Sequence, residues 1–133
     1  MPEVRRVAIN NDLDIVAARV EGRNLARQMG FGVIDQARIA TAISELARNI
    51  VLYANSGQII LNEVQRDTRI GLEIVCEDQG PGIQDVDMVM RNGYSTTQGL
   101  GMGLPGTKRL MDEFEIESRV GMGTRITVCK WLA

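Results

Sequence analysis

The sequence contains no histidine and only two cysteines among its 133 residues. Without an imidazole the chain cannot form a Ser-His triad or a phosphohistidine relay of its own, and two cysteines alone cannot complete the usual zinc site. Any general base in this chain must therefore be a carboxylate or a lysine whose pKa is lowered.

Neither charge nor hydropathy points to a nucleic acid or a membrane. The 15 basic residues are balanced by 17 acidic ones, and no run of like charge provides an electrostatic footprint for DNA or an anionic bilayer. No apolar stretch approaches the roughly 20 residues that span a bilayer, and the start of the chain does not resemble a signal peptide. We therefore expect a cytoplasmic protein whose partners are proteins or small molecules, with residues 1–133 forming a single domain.

Both cysteines, Cys76 and Cys129, lie in apolar segments that resemble strands. Small buried hydrophobic side chains are the simplest interpretation, because free cysteine is among the most buried residue types. A disulfide between them is the alternative.

Hydrophobic periodicity predicts the N-terminal half. A strand is expected before residue 10, and Asp12 or Asp14 is predicted to cap a helix over residues 13–29 that ends at Gly30. A second helix is predicted from Asp35 to about Tyr53. Its apolar residues recur at helical spacing and form a predicted core stripe: Ile39, Ala40, Ile43, Ala47 and Ile50.

The remaining elements follow from strand-like alternation and from turn residues. They are strands at 58–65 and 70–77, a short helix at about 85–91, a segment at 93–103 that we expect to be a mobile lid, a helix at 108–114, and a closing hairpin of strands at 115–120 and 124–131. About five strands and several hairpins favour an α/β two-layer sandwich, with a mixed, mainly antiparallel sheet and helices on one face.

The second helix carries a candidate catalytic pair. Glu45 and Asn49 lie one turn apart, about 40° from each other around the helix axis and on a different face from the core stripe. A carboxylate and an amide oxygen at this spacing suit Mg²⁺-dependent phosphoryl transfer, in which the amide ligates the metal and the carboxylate accepts a proton. The pair taken alone fits a solvated helix face as well.

A polar turn follows the predicted strand at 70–77. Asp78 precedes Gly80 and Gly82, whose lack of a side chain lets the backbone turn tightly and approach a flat ligand. A carboxylate at this place can accept a hydrogen bond from the exocyclic amine of adenine. An ordinary turn capped by the aspartate is the alternative.

The third candidate element is the glycine cluster Gly99, Gly101 and Gly103, which offers backbone amides to phosphate groups just before a helix. The segment 101–106 also fits the spacing of a dinucleotide-binding loop, but no strand directly precedes it. A Walker A loop is excluded because Thr107-Lys108 reverses the required order of lysine and hydroxyl residue.

A fourth element, Gly121-Met-Gly-Thr124, reads as a hairpin turn when it is considered alone. In this fixed order, however, the patterns E-x-x-x-N, D-x-G-x-G, G-x-G-x-G and G-x-G-T resemble the four nucleotide-binding boxes of the GHKL ATPases. The segments 44–49 and 99–114 resemble more closely the serine/threonine kinases of bacterial stressosomes. The resemblance covers most of the chain.

The resemblance implies a Bergerat-type fold that binds ATP and Mg²⁺. It makes Glu45 the general base, Asn49 the Mg²⁺ ligand and Asp78 the adenine acceptor. The other residues implied to bind nucleotide form the adenine wall, meet the phosphates or support the adenine contact: Gly80, Gly82, Gly99, Gly101, Gly103, Leu104 and Thr124.

The resemblance also implies a switch in bacterial stress signalling. Such a kinase phosphorylates a STAS-domain scaffold protein and is then released to activate a downstream phosphatase or another output enzyme. Two alternatives stay open: a nucleotide-gated, anti-sigma-like binding module whose catalysis is incidental, and a domain detached from a histidine kinase, which would need a histidine acceptor in another chain.

One residue departs from the pattern of related anti-sigma kinases, which often place an arginine where Leu100 stands. Lys108 and Arg109 are candidates to replace its charge, although they also fit the solvated first turns of the predicted helix at 108–114. For protein partners, Arg19, Arg23 and Arg27 recur every fourth residue and could face an acidic surface, and a first strand at the edge of the sheet would permit a homodimer.

Overall fold

The computed structural model describes residues 4–80 and 103–132. Their elements, in chain order, are β1 (Val4–Ile9), α1 (Asp12–Met29), α2 (Val33–Tyr53), β2 (Gly57–Arg66), β3 (Arg69–Asp78), α3 (Gly103–Leu110), β4 (Glu113–Arg119) and β5 (Gly123–Trp131). The helix expected at 85–91 and the lid expected at 93–103 lie outside these residues, except for Gly103.

The five described strands form one sheet in the order β1-β2-β3-β5-β4, and every neighbouring pair is antiparallel. The pairs β2-β3 and β4-β5 join strands that directly follow each other in the chain, whereas β1 and β2 are connected through α1 and α2. The last two strands enter the sheet in reverse order, so that β5 lies between β3 and the edge strand β4. The predicted sandwich with a mainly antiparallel sheet is confirmed.

The helices cover one face of this sheet. That face carries the buried residues Ile59, Leu61, Ile74, Ile126 and Val128, which form one core cluster with the apolar side of α2. The opposite face carries polar cross-strand pairs: Asn62 donates to Glu73 at 3.0 Å, and Gln58 donates to Glu77 at 3.4 Å. This second face is not uniformly polar, because Ile60 and Val75, which are cross-strand partners in β2 and β3, are buried there.

The predicted core stripe of α2 is confirmed, since all five of its residues are buried. The N-cap of α2 is Gly32, which provides no side-chain cap, and the buried Gln36 anchors this end by donating to the carbonyl oxygen of Phe31 at 2.8 Å. A helix packed this closely derives most of its stability from burial rather than from capping.

Two predicted helix ends were wrong. The cap of α1 is Asn11, whose side chain accepts from the backbone N–H of Asp14 at 3.2 Å, because the helix begins one residue before the predicted start. The last helix occupies Gly103–Leu110 instead of 108–114. Pro105 is compatible with its first turn, and the segment 113–114, predicted as helix, begins β4.

Both cysteines are buried and free, as predicted. Burial raises the pKa of the Cys76 thiol well above its usual range, and burial with the nearby carboxylates of Glu113 and Glu73 raises the pKa of Cys129 to about 11. No described helix has the combination of length and apolar character that is needed to cross a membrane.

We predict that neither thiol reacts with an aromatic disulfide reagent in the native protein at pH 7.5, and that both react in denaturant. In the unfolded chain the thiols lose their protons near pH 9, whereas in the folded chain Cys129 keeps its proton to about pH 11. The stabilisation that comes from the raised pKa of Cys129 is therefore lost between these two pH values. Thiol titration and urea unfolding at pH 8 and 10.5 measure both effects. Rapid modification of the native protein at neutral pH would contradict this assignment.

Candidate functional site

The helix α2 holds Glu45 and Asn49 in different environments. Glu45 is only 9% exposed, whereas Asn49 is half-buried. Among the described residues, the guanidinium of Arg48 is the basic group within ion-pair distance of Glu45, with its Nη1 3.9 Å from Oε1 of the carboxylate. Glu45 is therefore not a freely solvated side chain, and the interpretation of the pair as a solvated helix face does not hold for it.

The C-terminal half of α2 lies over the ends of β2 and β3. The Cys76 thiol donates to the carbonyl oxygen of Leu46 at 3.6 Å. One turn further on, Ile50 lies close to Gly57, the first residue of β2, where a Cβ atom would be 3.0 Å from Cγ2 of Ile50. Asn49 is therefore carried at the same end of the sheet as the last residue of β3, which is Asp78.

Asp78 shapes the turn that follows β3. Its Oδ1 accepts a hydrogen bond from the backbone N–H of Gly80 at 2.9 Å, which is an Asx turn. A Cβ atom on Gly80 would lie 2.6 Å from Cβ of Ala54, just beyond the end of α2. Glycine is thus required where this turn approaches α2. The second oxygen of Asp78 has no hydrogen-bond partner in the described part of the chain.

The hairpin between β4 and β5 closes against the same residue. Gly123 has a φ of +90°, and a Cβ there would collide with the carbonyl oxygen of Asp78. Thr124 is the cross-strand neighbour of Asp78, and its hydroxyl lies 2.8 Å from that of Ser118. The structure therefore brings Thr124 next to Asp78 and Gly80, although Thr124 is far from both in the sequence.

An open cavity of about 740 Å³ adjoins this group of residues. Asp78, Ser118 and Thr124 contribute polar groups to its lining, and Ile116 and Met122 contribute apolar ones. Most of the other lining residues are polar or charged: Glu77, Gln79, Glu117 and Arg125. Of the described residues predicted to form the site, Asp78 and Thr124 line this cavity, whereas Glu45 and Asn49 do not.

The start of α3 carries the described part of the predicted phosphate loop. Gly103 has a φ of +68° and accepts a hydrogen bond at its carbonyl from the hydroxyl of Thr107 at 3.1 Å. Leu104 is buried in the core cluster, so its described role is to anchor the helix. Gly82, Gly99 and Gly101 lie outside the described residues.

The placement expected for Lys108 and Arg109 was wrong. They lie in the last turn of α3 instead of the first turns of a helix, because that helix begins at Gly103. At about 1.5 Å per residue, Lys108 lies roughly 8 Å along the helix axis from Gly103, where the predicted phosphate loop meets α3.

Sequence reasoning missed three residues that shape this site: Arg48, Ala54 and Ser118. The spacing of three between Glu45 and Arg48 on a predicted helix was available as a signal. The pairing of Ser118 with Thr124 follows from the hairpin register. Nothing in the sequence identifies Ala54 as the neighbour of Gly80.

The donor set is compatible with Mg²⁺ in company with phosphate groups. Among the described residues no group of three or more His, Cys, Asp or Glu side chains forms a metal site. Mg²⁺ usually keeps several waters and takes one or two protein ligands beside substrate phosphates. The half-buried amide of Asn49 fits that requirement, because no dedicated protein cage is needed.

Residues 34–133 match the family model of the histidine kinase-, DNA gyrase B-, and HSP90-like ATPases. The chain is 60% identical over 126 residues to the serine/threonine-protein kinase RsbT of Bacillus subtilis, covering 95% of each chain. It is also 31% identical to an anti-sigma F factor of Caldanaerobacter subterraneus, covering 86% of this chain and 83% of the relative.

Solved structures agree on the fold. The RsbU and RsbW domains of a Mycobacterium tuberculosis protein match with a TM-score of 0.65 at 19% identity, covering 100% of this chain and 33% of that longer one. The mycobacterial sensor histidine kinase MprB matches with a TM-score of 0.59 at 18% identity, covering 98% of this chain and 97% of that one. On these matches and this sheet topology, the chain belongs to the family of histidine kinase-, DNA gyrase B- and HSP90-like ATPases.

Proposed function

We propose that this chain is an ATP-dependent serine/threonine-protein kinase in which Glu45 is the general base. The observation that carries the proposal is the nearly buried carboxylate of Glu45, one helical turn from the amide of Asn49. A relative that is 60% identical is named a serine/threonine-protein kinase, which supports the same reaction class.

The reaction joins a hydroxyl oxygen of the acceptor to the γ phosphorus of ATP, breaks the bond from that phosphorus to the bridging oxygen, and releases ADP. Glu45 accepts the hydroxyl proton, because the chain has no histidine that could do so. The amide oxygen of Asn49 would hold Mg²⁺, and the bound ion would neutralise charge on the phosphates. Arg48 restrains the Glu45 carboxylate from its position 3.9 Å away.

Nucleotide recognition is assigned to the turn after β3. The carboxylate of Asp78 accepts a hydrogen bond from the adenine amine, and Gly80 with Gly82 forms the adjoining wall. Thr124 supports this contact and is itself held by Ser118. Gly99, Gly101 and Gly103 are assigned to the phosphates, and Leu104 anchors the start of α3 in the core.

We predict that Asp78→Asn lowers the affinity for ATP by at least roughly tenfold, because an amide cannot reproduce both the Asx turn and acceptance from the adenine amine. Isothermal titration of ATP and of GTP measures the effect, and Glu73→Gln, on the same strand but outside the lining of the cavity, is the matched control. Equal ATP affinity in Asp78→Asn and the wild type would remove Asp78 from the site.

For the biological role we propose a switch in stress signalling. The acceptor is a serine or threonine of a STAS-domain scaffold protein, and the released kinase then activates a phosphatase or another output enzyme. The resemblance to stressosome kinases supports this assignment, together with the stress-pathway relative in Bacillus subtilis.

A second candidate function is a nucleotide-gated binding module, which the anti-sigma F factor relatives favour. The two functions are separated by capturing the STAS-domain protein in the presence of ATP, ADP or a non-hydrolysable ATP analogue. A switch kinase releases its phosphorylated partner only with ATP, and Glu45→Gln abolishes that release. A gated module releases its partner equally with ATP and with the analogue, and Glu45→Gln has no effect.

A further inference from the structure

The outer face of α1 carries large apolar side chains that are exposed to solvent. Its core side is formed by buried residues such as Ile15, Ala18 and Leu25. On the opposite side Leu13 is 79% exposed, Val16 45% and Val20 49%. Three large apolar side chains therefore face solvent along the first half of the helix, where a partner that covered them would gain from their burial.

The same side of α1 becomes basic along its second half. Arg19, Arg23 and Arg27 are exposed. Across the described residues none of the three has a carboxylate within ion-pair distance, and Arg27 contacts only the side-chain oxygen of Asn24, at 3.4 Å. Their charges are thus available to a partner.

The apolar and basic halves lie on one continuous line. The residues Leu13, Val16, Val20, Arg23 and Arg27 are separated by three, four, three and four positions. This is the spacing of a coiled-coil seam. A second helix packs along the whole seam when the two helix axes cross at about 20°. The line is about 21 Å long at 1.5 Å per residue, or two heptads.

Charge decides which helix fits. A second copy of α1 in parallel would place Arg23 and Arg27 against the same arginines, and an antiparallel copy would place Leu13 and Val16 against arginines. Like charges or desolvated charges in a seam are unfavourable in both arrangements. The complementary occupant is a helix of another protein, apolar along one half of its seam and acidic along the other.

We propose that the outer face of α1, from Leu13 to Arg27, is a docking surface for an amphipathic helix of this acidic-apolar kind. The surface lies on α1, which contains none of the residues assigned to nucleotide. This inference goes beyond the proposed kinase activity and does not depend on it.

The test uses the full chain and a fluorescein-labelled helical peptide of three heptads, with leucine in one half of its seam and glutamate in the other. A second peptide carries lysine in place of glutamate. We expect the glutamate peptide to bind roughly tenfold or more tightly than the lysine peptide in fluorescence polarisation, and the difference to shrink as salt rises. Arg23→Glu should reverse the preference, and Val16→Glu should abolish binding of both peptides.

Two variants elsewhere on the surface are the matched controls: Lys108→Glu on α3, and Val120→Glu at the turn before β5, which is 67% exposed. Both should bind the glutamate peptide as the wild type does, and circular dichroism confirms that each variant is folded. Equal binding of the two peptides, or equal loss in the control variants, would overturn the proposal. So would a dimer in sedimentation velocity that Val16→Glu dissociates, because α1 would then be a self-interface. ATP affinity, measured in parallel, stays unchanged in Arg23→Glu whether or not the kinase assignment holds.

Discussion

Glu45→Gln is expected to slow phosphate transfer to a protein hydroxyl by about 10²- to 10⁴-fold, because glutamine keeps the shape of the side chain but cannot accept the proton. ATP affinity should stay within about twofold of the wild type, since no part of the nucleotide-binding assignment depends on this carboxylate. Single-turnover transfer at saturating Mg²⁺-ATP measures the first effect, and equilibrium ATP titration measures the second.

A carboxylate outside the site provides the control for this substitution. Glu115 lies exposed on the edge strand β4, and Glu115→Gln should transfer phosphate at the wild-type rate. If Glu45→Gln also keeps that rate, the base is another group and the mechanism is wrong. If both transfer and ATP affinity are lost together, Glu45 has a role in binding rather than in proton transfer.

Gly123→Ala is expected to have the second large effect, on stability and on nucleotide binding together. The residue has a φ of +90°, which costs an alanine about 1–2 kcal/mol. Its new Cβ would collide with the carbonyl oxygen of Asp78, and relief of that contact adds about 1–3 kcal/mol. The shift of Asp78 should lower ATP affinity by at least roughly tenfold.

The chain provides a matched control two residues earlier. Gly121 also has a positive φ, +82°, but a Cβ there would meet nothing within 4 Å. Gly121→Ala should therefore lower the free energy of unfolding only by the cost of its backbone conformation, and its ATP affinity should stay unchanged. Urea unfolding of both variants isolates the close approach to Asp78. Equal free energies of unfolding would show that Gly123 does not need to approach Asp78 closely.

Much of the fold could be predicted from periodicity. The core stripe of α2 was correct because a helix packed on a sheet must bury residues at a period of 3.6. The helix at Gly103 was placed too late because glycine and proline in its first turn read as a loop, although both are tolerated at a helix start. The cap of α1 was misassigned since Asn11, Asp12 and Asp14 are all suitable capping residues, and only the backbone conformation distinguishes them.

The candidate site could be predicted only in part. The residues within each of the four nucleotide-binding boxes lie close together in the sequence, so Glu45, Asn49 and Asp78 could be identified without coordinates. The burial of Glu45 and the contact of Ala54 with Gly80 could not, because both depend on how closely α2 approaches the end of the sheet. Three-dimensional packing supplies the distance between elements, and sequence spacing does not.

The measurement that tests the central claim most directly is the identity of the phosphorylated residue. A STAS-domain protein is incubated with Mg²⁺, γ-labelled ATP and either this chain or its Glu45→Gln variant, and the labelled peptide is mapped by mass spectrometry. We predict one acid-stable phosphoserine or phosphothreonine, formed by the wild-type chain and absent with the variant. Acid-labile phosphohistidine, or the same label formed at the same rate by both chains, would contradict the account.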